Sequence, residues 1–357
     1  VDVAVLGASG DCGREIAAQL VAARLLEPTE RLQLVGRADG PSARILHGLV
    51  ADLSDAYAEH VPQLDVALSP EEIVADLWIV AAGRTLPTEG VMLDRHQLAV
   101  GNARIFSGYA EALARHGQGT ELVVIVSNPV ELGVALFARA VGRDRVIGIG
   151  AYQDTMRFRR EIAADLGLRR QRVGGFMLGE HGDALAPIWS SVTLHGLPAE
   201  EVERTLAPLR RGTHSADFGA LCAAARQQVA VLLAEGRFFD AYALVDAQPP
   251  DVRVVLKPFI THTSGSKTVR ATAHVTVDLV AALLDGRETL IAGQVQVGPG
   301  EFHDLVGPIG VPIIAGPQGI RRVVEIPLTA SERERIGAIA AMVGERVAVG
   351  IQAVDDE

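Results

Sequence analysis

Glycines 7, 10 and 13 stand in the run Gly7-Ala8-Ser9-Gly10-Asp11-Cys12-Gly13, between an apolar stretch and a helical pattern. Glycines so placed give a tight turn, let a backbone approach a pyrophosphate and allow a helix to pack closely on a strand. The helix N-terminus then offers unpaired N–H groups and a partial positive charge to phosphates. The spacing is G-x-x-G-x-x-G rather than G-x-G-x-x-G, and a tight turn alone also accounts for it. Its place between a first strand and a first helix points to a dinucleotide. A second apolar run ends in Val35-Gly36-Arg37. An acid there would bond the adenosine ribose hydroxyls and repel a 2′-phosphate. Gly36 leaves room and Arg37 can pair with a phosphate, so the sequence favours NADP. NAD stays open through Asp39, and Arg37 also fits a solvated surface arginine.

Further polar groups fall where strands of an open α/β sheet end, the usual place for ligands. Ser127-Asn128-Pro129 follows one apolar run, and the Asn128 amide can donate to a substrate oxygen; an Asn-Pro turn is the plainer reading. Asp154 and Arg157 open a helix three residues apart, on neighbouring faces, which also describes a local ion pair. Gly179-Glu180-His181-Gly182-Asp183 ends a β-like run, its glycine leaving the imidazole open, although a histidine between two acids is commonly structural. Arg95 starts a helix after the loop Gly83–Leu93, and Asn102 lies two turns further on.

The elements that must hold these groups follow from periodicity. Apolar runs at Val1–Leu6, Leu32–Val35, Leu77–Ala82, Leu122–Val126 and Val146–Ile149 alternate with helical patterns such as Gly13–Leu25 and Leu93–His116. That alternation predicts a parallel sheet covered on both faces. Beyond Gly150 the texture changes. An amphipathic stretch, Thr155–Leu166, precedes the histidine block, and helices are expected at Ala199–Arg211, Ala216–Leu233, Ser266–Leu284 and Ala330–Val347. β-like runs fall at Thr289–Val297, Val311–Ala315 and Arg321–Ile326, and Gly236–Thr263, with Pro249, Pro250 and Pro258, reads as irregular. The expected fold is α/β: a Rossmann-type parallel sheet domain over 1–150, then an α+β substrate domain over 151–357.

Composition narrows the class. The chain is 48% hydrophobic, 22% charged and only 4% aromatic, so aliphatic side chains must fill the core. A net charge of -11 argues against nucleic acid or an anionic membrane as partner, and any anionic ligand needs a local basic pocket. Two cysteines, Cys12 and Cys222, are too few for a disulfide scaffold or thiolate metal cluster, and no metal is expected. No apolar stretch is expected to reach the ~20 residues of a membrane span, and a cytoplasmic protein is expected.

Taken in order, the glycine motif, Arg95-x-x-Leu98-x-x-x-Asn102, Ser127-Asn128-Pro129, Asp154-x-x-Arg157 and Gly179-Glu180-His181-Gly182-Asp183 resemble the lactate/malate dehydrogenase family of 2-hydroxy acid oxidoreductases. The resemblance covers most of the chain and weakens between about 211 and 265. It implies that His181 exchanges a proton with the substrate oxygen, with Asp154 orienting the imidazole and favouring its charged form. Arg157 would grip the substrate carboxylate with two prongs, and Arg95, on a mobile loop, would polarise the carbonyl. Asn128 would donate to the substrate, and Thr268 is the nearest match to the family's substrate-wall residue. Gly7, Ser9, Gly10, Asp11, Cys12, Gly13, Gly36, Arg37, Ala82, Gly83, Asn102, Val126 and Asn128 would line the cofactor; Arg37 favours NADP, with NAD possible. A homodimer or homotetramer is implied.

Two departures bear on the substrate. Malate enzymes of the family carry a second arginine in the mobile loop; the matching stretch here, Thr85–Gly90, has none, and Glu89 would repel a dicarboxylate if it pointed inward. The stretch 236–263 reads as an insertion that either reshapes the pocket or is a surface excursion. Two other classes compete with the dehydrogenase: a catalytically silent cofactor-binding paralogue and an NAD-using glycosidase, the latter needing a metal held by Cys and His.

Overall fold

A computed structural model of the chain describes residues 1–84, 95–213, 216–265 and 267–356, with side chains in the helix from Arg95 described from residue 99 onward. The stretch Thr85–Gly90 and the Arg95 side chain therefore lie outside the described residues.

The first half alternates strictly: β1 (Val3–Leu6), α1 (Asp11–Ala22), β2 (Arg31–Val35), α2 (Ser42–Ala56), β3 (Gln63–Ala67), β4 (Leu77–Val80), α3 (Arg95–His116), β5 (Leu122–Ile125), α4 (Val130–Val141) and β6 (Val146–Gly148). These six strands are parallel in the order β3-β2-β1-β4-β5-β6. Four of them, β1, β4, β5 and β6, are buried throughout, as strands covered on both faces must be. The order reverses between β1 and β4, so the glycine turn after β1 and the Ala82-Gly83 end of β4 face one crevice.

The second half begins with α5 (Gly150–Asp165), then β7 (Phe176–Gly179), β8 (Leu185–Ile188), α6 (Ala199–Leu206), α7 (Phe218–Ala234), α8 (Phe238–Asp246), α9 (Pro250–Thr263) and α10 (Val269–Leu284). It closes with β9 (Thr289–Val297), β10 (Gly307–Gly316), β11 (Gly319–Val323) and α11 (Ala330–Asp355). β9 pairs antiparallel to β6, joining β10, β7 and β8 to the same sheet. A second core forms away from the parallel strands, where Phe158 of α5 and Trp189 meet Phe218, Val252, Leu256 and Ile260.

Several expectations need correction. The helix at Asp154 begins earlier, at Gly150, so Asp154 and Arg157 sit inside it rather than at its opening. The stretch 236–263 is not irregular but forms α8 and α9. Pro249 caps α9 and Pro250 occupies its first turn, where a missing N–H costs nothing. α9 packs on α5 and fills the second core, so it is no surface excursion. α11 holds an 18-residue window of mean hydropathy 1.4, long and apolar enough to cross a membrane. Here it packs through Ile336, Ile339 and Val343, and its Arg335 donates to the Leu185 carbonyl at 2.7 Å.

Candidate active site

The site is built where the C-terminal ends of the parallel strands meet α5 and the β7–β8 turn. At the glycine turn, Gly7 has φ +79°, and a Cβ there would lie 2.7 Å from the Ala82 backbone. A Cβ on Gly13 would lie 2.3 Å from the Gly7 carbonyl oxygen, so α1 sits directly on β1. Asp11, Cys12 and Gly13 form the first turn of α1, whose N–H groups have no partner within the helix. Asp11 is drawn below the usual carboxylate range by Lys267 first and Arg14 next, with Lys267 reaching it from the start of α10 at 3.0 Å.

At the end of β2 the expectation for Gly36 fails. A Cβ there would lie 2.3 Å from Ser42 Oγ and 2.7 Å from Leu46 Cδ1, so its space is already taken by α2. Ser42 Oγ accepts from the Arg37 N–H at 3.1 Å and donates to Ser9 Oγ at 2.9 Å, tying the two strand-end turns together. The Arg37 side chain is exposed, 3.5 Å from an equally exposed Asp39.

Asn102 is fully buried, and each of its polar atoms is engaged. Its Oδ1 accepts from the Arg84 N–H at 2.6 Å, and its Nδ2 donates to the carbonyls of Arg84 and Asn128, at 3.1 and 2.6 Å. It therefore braces the ends of β4 and β5 against α3 and has no polar atom to spare for a cofactor. Val126 is buried, whereas Asn128 is exposed.

Asp154 is the hub of a buried polar cluster. It is 2% exposed, and its Oδ2 lies 2.8 Å from His181 Nδ1 while its Oδ1 accepts from Arg157 Nη1 at 3.0 Å. The local ion pair and the imidazole contact thus coexist on one carboxylate. Burial alone would raise the Asp154 pKa, but His181 and then Arg157 hold it below the usual range. Burial likewise opposes the imidazolium, and the Asp154 carboxylate outweighs it, so the His181 pKa is raised. The two acids beside His181 are engaged elsewhere: Glu180 with Arg346 of α11 and Asp183 with Arg226 of α7, both at 2.6 Å. They anchor the turn and leave the imidazole to Asp154.

Residues 1–148 match the family model described as lactate/malate dehydrogenase, NAD binding domain. Malate dehydrogenase of Syntrophotalea carbinolica is 30% identical over 290 residues, 79% of this chain and 80% of that protein. The chain belongs to the lactate/malate dehydrogenase family. Malate dehydrogenase of Methanococcus maripaludis is 28% identical over 211 residues, 57% of this chain and 64% of that protein, so the match spans less than two thirds of that relative. The lactate dehydrogenase of Cryptosporidium parvum, solved with lactic acid and β-nicotinamide adenine dinucleotide, shares the fold. Its TM-score is 0.74 at 22% identity, covering 98% of this chain and 97% of that one.

Within this dehydrogenase-family chain two supports of His181 have no signal in the sequence. Glu131 of α4, fifty residues upstream, is buried and accepts the His181 backbone N–H at 2.7 Å; burial pushes its pKa up to about 7. Gly150 is the other. A Cβ there would lie 2.3 Å from His181 Cβ and 2.4 Å from Cγ, because the imidazole lies on the first turn of α5. Gly150→Ala is expected to destabilise the fold by about 1–3 kcal/mol through overpacking and to move the imidazole. A variant with unchanged Tm and unchanged His181 ring NMR shifts would contradict that packing.

Proposed function

We propose that the chain interconverts a 2-oxo acid and its 2-hydroxy acid, using residues 1–150 for the dinucleotide and 151–357 for the substrate. The carrying observation is Asp154 bonded at once to His181 and Arg157. With Nδ1 committed to Asp154, Nε2 is the imidazole atom left to exchange a proton with the substrate oxygen. In the reductive direction His181 must enter charged, and its raised pKa supports that state near neutral pH. Arg157, tied to Asp154 through Nη1, has donors to spare for the substrate carboxylate in a two-pronged grip. Asn128 donates from the end of β5, Thr268 forms part of the substrate wall, and Arg95 is assigned to polarise the carbonyl.

The residues at the crevice fit a dinucleotide: the close-packed glycine turn and the free N–H groups of α1 suit a pyrophosphate. When bound, the nicotinamide supplies hydride transfer to or from C2. NADP is the favoured form in this reading. The exposed Arg37–Asp39 pair is of a kind worth at most ~1 kcal/mol, so a 2′-phosphate can displace Asp39 at little cost. We further assign the chain to a cytoplasmic homodimer or homotetramer; light scattering that found only monomer would count against the assembly.

The test is oxidation of NADPH and NADH with a panel of 2-oxo acids. Turnover of at least one is expected, and a catalytically silent protein would turn over none. Arg37→Ile is expected to lower kcat/KM for NADPH relative to NADH by about tenfold, the low end for a charge-assisted bond at an exposed, salt-screened site. A wild-type protein that already prefers NADH would overturn the cofactor reading.

A further inference from the structure

One row across the sheet carries almost no side chains. Gly148 of β6 pairs with Gln294 of β9, Gln294 with Gly310 of β10, and Gly310 with Gly179 of β7, two residues before His181. A glycine inside a strand weakens it and marks a close approach. The approaching element here is α5. A Cβ on Gly310 would lie 2.7 Å from Ala151 Cβ, and one on Gly148 would lie 2.9 Å from Gln294 Cβ. The first turn of α5 is thus seated on the row, and Gln294 supplies the side chain within it.

Gln294 is fully buried, and its Oε1 accepts from the Ala151 N–H at 2.7 Å. It therefore caps α5, whose first N–H groups have no partner within the helix. With the oxygen turned to α5, the amino end of the amide is left over. Nε2 is buried and has no hydrogen-bond partner among the described residues. Gly150 locates it: a Cβ there would lie 2.9 Å from Gln294 Nε2 and 2.3 Å from His181 Cβ, so amide and imidazole rest against the same glycine. A cap needs only the oxygen, and a buried donor left unpaired costs stability. The charged groups that face the imidazole are Asp154 and Arg157 of α5 and Glu131 of α4; in its own turn Glu180 is held by Arg346 of α11. Asp154 outweighs burial and Arg157 and holds the ring toward its charged form. An acid held too firmly gives up its proton slowly, and acid–base catalysis works best with a pKa near the working pH. The amino end of Gln294 carries partial positive charge in a site with little water to screen it, so it acts against Asp154.

We propose that Gln294 is a positioning residue of the reaction: its oxygen seats α5, with Asp154 and Arg157, against the His181 turn, and its amino group tempers the charged imidazole so that the proton can leave. The inference rests on the acid/base reading of His181 above. Its test is the titration of the His181 ring by NMR, beside the pH profile of kcat for reduction, in the wild-type protein, Gln294→Met and Gln294→Glu. Methionine keeps the volume and loses both cap and amino group, whereas glutamate keeps an acceptor for Ala151 and puts an oxygen where the amino group stood. Gln294→Met is expected to raise the His181 pKa by about half a unit to one unit, the scale of one hydrogen-bonding group. It should also lower Tm by about 2–4 °C through the lost cap. Gln294→Glu is expected to raise the His181 pKa at least as far, because a carboxylate there joins Asp154 in favouring the imidazolium. In both variants the pH at which reduction fails should rise with the ring titration. A glutamine that only caps α5 would lower Tm in Gln294→Met and leave the ring titration of both variants at the wild-type value, and that result would overturn the proposal. If Gln294→Met does not fold, Gln294→Glu decides alone. The ring titrates without substrate, so the two readings fail separately: turnover of no 2-oxo acid would overturn the acid/base role of His181, and an unmoved titration would overturn the role of Gln294.

Discussion

His181→Asn is expected to lower kcat by about 10²–10⁴-fold, the range for loss of a positioned general acid, while cofactor affinity stays at the wild-type value. An asparagine can still bond the Asp154 carboxylate, but it cannot give up a proton near neutral pH. The glycine turn at Gly7–Gly13, proposed to hold the dinucleotide, lies between β1 and α1, whereas His181 follows β7, so the two proposed functions are separable. Turnover with the 2-oxo acid panel and a fluorescence titration with NADPH would measure them side by side. Retention of about a tenth of the wild-type kcat would remove His181 from the acid/base role.

The parallel sheet was legible because strands buried on both faces are apolar without interruption, and β1, β4, β5 and β6 are of that kind. β3 was not foreseen for the complementary reason. It is the edge strand, and Gln63 and Asp65 face outward in alternation, so no apolar run marks it. Pro249 and Pro250 read as breakers, yet a proline pair is also how a helix can begin, and only the packing of α9 on α5 separates the two meanings. Sequence spacing brought Asp154 and Arg157 together because both lie on one helix. It could not reveal Glu131 beneath His181, since that contact joins α4 of the first half to the β7–β8 turn of the second. Gly36 shows the opposite error. A glycine at a strand end suggests room for a ligand, yet at Gly36 α2 fills that room.

The supports of His181 divide into those that set its charge and those that set its place. Glu131 and Gly150 fix the backbone and ring position from α4 and α5, and Glu180 and Asp183 tie the turn to α11 and α7. Asp154 alone among these accepts from the ring. A substitution there should therefore change the pH dependence of the reaction, whereas loosening the turn should change rate without moving the titration.

Asp154→Asn is accordingly expected to move the pH at which reduction fails to a lower value, and to cost stability in a defined window. In the wild-type protein the Asp154 carboxylate raises the His181 pKa above its ordinary 6.5 against burial. Remove the charge, and burial is left to oppose the imidazolium, so the fraction of protonated enzyme falls away at a lower pH. Because the folded histidine pKa is raised, its stabilising contribution is complete below 6.5 and is lost as pH rises through the folded value. The Asp154 pKa is depressed below 3.8, so its contribution is present above 3.8 and lost as pH falls through the folded value. The pair therefore supports the fold most fully between 3.8 and 6.5, and the wild-type advantage over Asp154→Asn should be greatest there. Loss of a buried partner to two cations is expected to cost about 3 kcal/mol in that window. Glu131, pushed up to about 7 by burial, titrates close by in the wild-type protein. The difference between the two pH profiles, rather than either alone, isolates Asp154. Urea denaturation at pH 5.5 and pH 9, beside kcat for reduction across the same range, measures both effects. A variant with the wild-type profile and an equal stability loss at both pH values would show that Asp154 only packs beside the imidazole.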